Sequence, residues 1–177
     1  MYDEYLRDSY DFAMDAISNK NWNEKLKQRY FRVSIFCGMA AIEAFVNNIA
    51  DILSYTKMMC ENEKAFLLDK KMILENDKFI ISEQNEFHKI EDKIKFLLSK
   101  YVKDFDFGCN RCWSDFISLK RKRDFLIHSR SEEDDTKIID YESIVKNGIT
   151  SINKIMDYLC LGIKNKKLRT QIRDLRF

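Results

Sequence analysis

Apolar side chains recur every three to four positions along most of this 177-residue chain, the spacing that lays one oily stripe along an α-helix. Residues 2–18 set Tyr5, Leu6, Phe12, Ala13, Ala16 and Ile17 among charges, and the polar Asn19-Lys20-Asn21 ends that helix. From about residue 23 to 55 the pattern turns apolar on almost every side, through Ile35, Phe36, Met39, Ile42, Phe45, Val46, Ile49, Ile52 and Leu53. A helix of that kind is predicted to be the central one of a bundle. Around Gly38, Ala40 and Ala41 the side chains are small, which suits close approach of a second helix. Between 57 and 86 the pattern weakens. Ala65-Phe66-Leu67-Leu68 predicts a short helix, and Lys78-Phe79-Ile80-Ile81-Ser82 predicts a short strand or an extended loop, within a possible β-hairpin near 72–82.

Helical spacing returns in Phe87, Ile90, Ile94, Leu97, Leu98 and Tyr101, and Asp104-Phe105-Asp106-Phe107-Gly108 interrupts it. A further helix is predicted from near Asn110 through Trp113, Phe116, Ile117, Leu119, Phe125 and Leu126 to His128, ending in the acidic loop 131–135. The last long helix spans about 140–162, with Ile144, Val145, Ile152, Ile155, Met156 and Leu159 as its core stripe. Leu168, Ile172 and Leu175 extend helical spacing into the tail, 164–177.

Composition sharpens this to an all-α fold. There is no proline and there are four glycines, so long helices with few sharp turns are expected. The expected architecture is an up-and-down helical bundle of four to five main helices, one domain over 1–177. With 45% hydrophobic and 34% charged residues the chain is globular rather than disordered. Its net charge of +2, from 31 basic and 29 acidic residues, excludes a histone-like coat of positive charge. A nucleic-acid surface has to be a local patch. The acidic, polar start Met1-Tyr2-Asp3-Glu4-Tyr5 is not a secretory signal, and the apolar stretches read as too short to cross a bilayer. Five cysteines, an odd number, fit reduced thiols in a cytoplasm.

The chemistry concentrates in Arg123-Asp124-Phe125-Leu126-Ile127-His128. Asp124 and His128 are four residues apart, on one helix face, with Arg123 beside them. A guanidinium stabilises charge building on a phosphate, and an imidazole moves protons near neutral pH. Asp124 is expected to orient the histidine. Lys120, Arg121 and Lys122 lead into the motif and Arg130 follows it, so this face is expected to be electropositive and to attract a phosphate backbone. The alternative for such a pair is a salt-bridged helix face.

Arginine, a polar residue, three to five variable residues and histidine, near the end of an apolar helix in a small all-α chain, resembles the HEPN superfamily. Here those positions are Arg123, Asp124, Phe125-Leu126-Ile127 and His128. Arg121 makes a second match to His128, but Lys122 rather than a polar Asp or Asn follows it. Ala41-Ile42-Glu43-Ala44-Phe45-Val46-Asn47-Asn48 is similar to a segment frequent on the second helix of bacterial HEPN proteins. As architecture the resemblance covers roughly residues 25–160. It implies a homodimeric, metal-independent endoribonuclease without a cofactor, from a toxin–antitoxin or anti-phage defence setting, with an antitoxin or defence protein as a further partner. Arg123 and His128 would be catalytic, with Glu43 and Asn47 supporting them and Glu43 touching Arg123. The other reading of Glu43 and Asn47 is a buried structural pair. Arg130 stands two residues after the histidine, where toxins regulated by a nucleotidyltransferase carry a tyrosine. Some HEPN domains are not nucleases, so the rival expectation is a catalytically silent module that dimerises or binds a nucleotide or partner.

The remaining candidates read as structural. Cys109-Asn110-Arg111-Cys112 is a CxxC at a helix start, where thiols are acidified, but no second pair completes a zinc site. His88 reads as a surface histidine on an amphipathic helix. The tail carries six basic residues against one acidic, a solvated helix before it is an RNA-binding one.

Overall fold

The computed structural model describes residues 1–75, 77–128 and 141–177. Among the described residues, seven helices and one hairpin follow in chain order: α1 (Tyr2–Ser18), α2 (Glu24–Ser54), α3 (Glu61–Leu67), β1 (Lys70–Glu75), β2 (Lys78–Asn85), α4 (Ile90–Tyr101), α5 (Arg111–His128), α6 (Tyr141–Lys164) and α7 (Thr170–Arg173). The acidic loop and Arg130 lie outside the described residues.

Asn23 starts α2 by accepting the Leu26 N–H on its side chain at 2.9 Å, satisfying a donor that the first turn leaves free. Helix α2 then runs 31 residues and is covered by α1, α5 and α6. It is long and apolar enough to cross a membrane by length and composition, which corrects the sequence expectation. That expectation weighed uninterrupted apolar runs, whereas scattered alanine, glycine and asparagine leave a long helix with few charges. More than half of the window is buried inside the protein, as befits a core helix.

The close approach expected near Gly38 is made by α1. Ser9 Oγ donates to the Ser34 carbonyl at 2.8 Å and Ser34 Oγ to the Ser9 carbonyl at 2.7 Å, so both buried hydroxyls are satisfied. Gly38 faces Ser9 at this crossing. One cluster of buried side chains runs from Leu6 through Phe45, Leu67, Leu98, Phe116 and Ile152 to Ile172, drawing on all seven helices.

The hairpin expected near 72–82 forms, and its strands reach beyond that window at both ends. Its strands are antiparallel, pairing Met72 with Ile81, Ile73 with Ile80, Leu74 with Phe79 and Glu75 with Lys78. Two boundaries differ from the sequence reading. Phe87, His88 and Lys89 are not helical; they form the link from β2 into α4. The tail is not a continuous helix, because Asn165 takes a left-handed φ of 50° and closes α6. The chain then folds back. Asp157 accepts the Leu168 N–H at 2.7 Å, and the Asn153 amide donates to the carbonyls of Ile172 and Leu175.

Helix α5, which carries the candidate motif, is set against α6 at Gly148. A Cβ there would sit 2.7 Å from Leu119 Cβ, closer than real carbons approach. Gly148→Ala is therefore expected to destabilise the fold by about 1–3 kcal/mol. At roughly 2–4 °C per kcal/mol for a chain of this size, thermal unfolding followed by circular dichroism will read this as a Tm several degrees below wild type.

Candidate functional site

A cleft of about 530 Å³ opens where α2, the α3–β1 junction, the start of α4 and the middle of α5 meet. Glu43 and Asn47 line it from α2, one turn apart on the same face. Lys120, Arg123 and Asp124 line it from α5, Glu91 and Lys93 from α4, and Asp69, His88 and Lys89 from the segments beside the hairpin.

Arg123 joins the two long helices. Its Nη2 donates to Glu43 Oε1 at 3.4 Å, and its Nε lies 3.0 Å from Asp124 Oδ1, with 22% of the side chain exposed. The expected contact between Glu43 and Arg123 is thus present in the geometry. Asn47 is exposed and Glu43 half-buried, so the pair opens on the cleft rather than lying sealed in the core.

Asp124 does something other than orient His128. Lys120 Nζ donates to its Oδ2 at 2.7 Å while Arg123 Nε pairs with Oδ1 by charge, without a hydrogen bond, and no contact joins it to His128 among the described residues. Lys120 lies four residues before Asp124 just as His128 lies four after, and the permanent cation takes the carboxylate. Lys120 Nζ is also 3.3 Å from Glu91 Oε1. Burial pulls the Lys120 pKa down, but the hydrogen bonds to Asp124 and Glu91 outweigh it and the net shift is upward, so this lysine stays charged. His128 is exposed at the last residue of α5 and does not line the cleft.

The expected electropositive face breaks up because successive residues on a helix point about 100° apart. Lys120 is tied into the cleft, Arg121 is exposed, and Lys122 is buried with its ammonium 4.2 Å from the Tyr141 ring centre and 5.0 Å from that of Phe125. Held in that way, Lys122 cannot reach an RNA backbone. Within the cleft four carboxylates (Glu43, Asp69, Glu91, Asp124) face four cations (Lys89, Lys93, Lys120, Arg123). The field there is balanced rather than positive.

Asp69, Glu91 and Lys93 were not signalled by the sequence, and His88 reads there as a surface histidine. Asp69, with a left-handed φ of 54°, accepts the backbone N–H of His88 at 2.9 Å and the ammonium of buried Lys93 at 2.5 Å. His88 Nδ1 lies 3.5 Å from Asp69 Oδ1, and the ring packs on Phe66 with centres 4.5 Å apart. His88 is therefore a cleft residue and not the surface histidine of an amphipathic helix. The one available signal was that it is one of two histidines in the chain.

Among the described residues no group of three or more His, Cys, Asp or Glu side chains is arranged to hold a metal. Comparison with family models, with curated proteins and with solved structures finds no match for this chain.

The CxxC pair divides by exposure. Cys109 is exposed, whereas Cys112 is buried with its thiol donating to the Ser151 carbonyl at 3.3 Å. Burial pushes the Cys112 pKa up to about 11, overriding any acidifying effect of the helix start. At neutral pH the exposed Cys60 and Cys109 are expected to react with an aromatic disulfide reagent first. Cys112 should lag by on the order of a hundredfold or more, the loss of thiolate that such a shift entails. Reagent kinetics on Cys→Ser variants, before and after unfolding, will read the order.

Proposed function

We propose that this chain is a HEPN-type, metal-independent endoribonuclease that works as a homodimer in the cytoplasm, within a toxin–antitoxin or phage-defence system. Arg123 and His128 are its catalytic residues, and Glu43 sets the arginine. The observation that carries the reading is the anchoring of Arg123. It is held between Glu43 on α2 and its neighbour Asp124, while His128 stands exposed five residues further along the same helix.

A guanidinium held in place costs less to reorganise as charge develops, the condition under which electrostatic stabilisation is most effective. In the reaction, an imidazole takes the proton of a ribose 2′-hydroxyl as that oxygen bonds to the adjacent phosphorus. Arg123 stabilises the charged pentacoordinate phosphorus. The bond to the 5′-oxygen then breaks, and a second imidazole protonates that oxygen, leaving a 2′,3′-cyclic phosphate. Each chain has one histidine in the Arg-x4-His motif, so a twofold arrangement of α5 helices supplies the pair. Ile127, half-exposed beside His128, is the kind of apolar side chain that a partner helix covers.

A second reading has its own observation. The cleft balances four acids against four bases and Arg123 is already ion-paired, which favours a silent HEPN-like module binding a partner or nucleotide. RNA cleavage in EDTA separates the two. The nuclease reading expects wild-type cleavage to 2′,3′-cyclic ends, with rates down about 10²–10⁴-fold in His128→Ala and Arg123→Ala. Equal, absent activity in all three proteins, with dimers and partner binding intact, would leave the module.

A further inference from the structure

The cleft holds an imidazole that the Arg-x4-His motif does not include. His88 sits on the link between β2 and α4, at the foot of the hairpin, and three contacts fix it. Its backbone N–H is bound to Asp69 at 2.9 Å, its ring lies on Phe66, and its Nδ1 is shut off from solvent 3.5 Å from the Asp69 carboxylate. Asp69 is itself held by Lys93, which is 3% exposed. Nδ1 makes no hydrogen bond, but the negative charge of the nearby Asp69 carboxylate favours the proton on that nitrogen, which leaves Nε2 as the basic one. His88 lines the same 530 Å³ cleft as Arg123, which reaches it from α5.

We propose that His88 and Arg123 of one chain address the same phosphate, His88 as proton acceptor and Arg123 as the cation that stabilises the charge. This rests on the reading that the site takes an RNA phosphodiester, and deepens it by placing a second imidazole in cis. His88 Nε2 takes the 2′-hydroxyl proton as the oxygen–phosphorus bond forms. The phosphorus–5′-oxygen bond breaks, and the leaving oxygen takes its proton from a His128 imidazolium that the twofold arrangement of α5 helices brings to the cleft. Protons and charge balance over the two histidines, with no other reactant. The exposed position of His128 at the helix end suits the departing strand, and the fixed position of His88 suits abstraction of a proton from a group that must be held still.

The chain has two histidines, so imidazole C–H resonances form two sets that His88→Gln and His128→Ala assign. Inorganic phosphate added near neutral pH is expected to shift the His88 set saturably, and Arg123→Gln is expected to abolish that shift while leaving the His88 resonances in place. A His88 set that ignores phosphate, or one that shifts equally in Arg123→Gln, would overturn the proposal. On RNA in EDTA, His88→Gln with an unchanged circular dichroism spectrum is expected to lose kcat by about 10²-fold or more with KM little altered. An unchanged kcat there would also overturn it. Should wild type cleave no RNA and yet show the Arg123-dependent shift, the ribonuclease reading falls and the shared phosphate site stands.

Discussion

A helix of 31 residues with an apolar surface on most of its sides cannot stand in water, and the rest of the molecule is arranged to cover α2. Helix α1 closes over one side, where Ser9, Ser34 and Gly38 let the two backbones come near and satisfy each other's hydroxyls. Helices α5 and α6 close over others, meeting at Gly148. Further along α2, the polar side chains of Glu43 and Asn47 line the cleft. Burial of the apolar faces thus decides where the polar one opens.

In the cleft, charges are spent mostly on one another. Lys120 bridges Asp124 and Glu91, Lys93 holds Asp69, and Arg123 spans Glu43 and Asp124. Such pairing fixes side chains whose free rotation would otherwise have to be frozen when a substrate arrives. It also removes any general attraction for polyanions. A site of this kind would rely on position rather than on field, and would select a phosphate that fits between its groups over a backbone that merely passes by. The balanced cleft agrees with a chain whose overall charge is only +2.

The long helices were legible because their apolar positions repeat at the helical period: α1, α2, α5 and α6 begin and end close to where polar breaks interrupt the stripe. The hairpin was half legible. Lys78-Phe79-Ile80-Ile81-Ser82 reads as extended, but the first strand, Lys70–Glu75, has no alternation to mark it, since Met72, Ile73 and Leu74 are contiguous. The helix-borne half of the site was visible because Arg123 and Asp124 adjoin, and Glu43 with Asn47 share a face. Asp124 shows the limit of spacing arguments, as Lys120 and His128 stand symmetrically about it and charge makes the choice. His88 was hidden for a different reason. What makes it a cleft residue is Asp69, nineteen positions away, and Arg123, further still, and nothing local records those distances.

The account turns on Arg123 being set by Glu43 for chemistry rather than for a surface ion pair, and a kinetic comparison of Glu43→Gln with wild type tests that most directly. If the pair positions the arginine, kcat for RNA cleavage in EDTA will fall by about tenfold or more, while KM and the unfolding temperature change little. A variant that cleaves at the wild-type rate would show the pair to be an incidental helix-to-helix contact, and the central claim would fail.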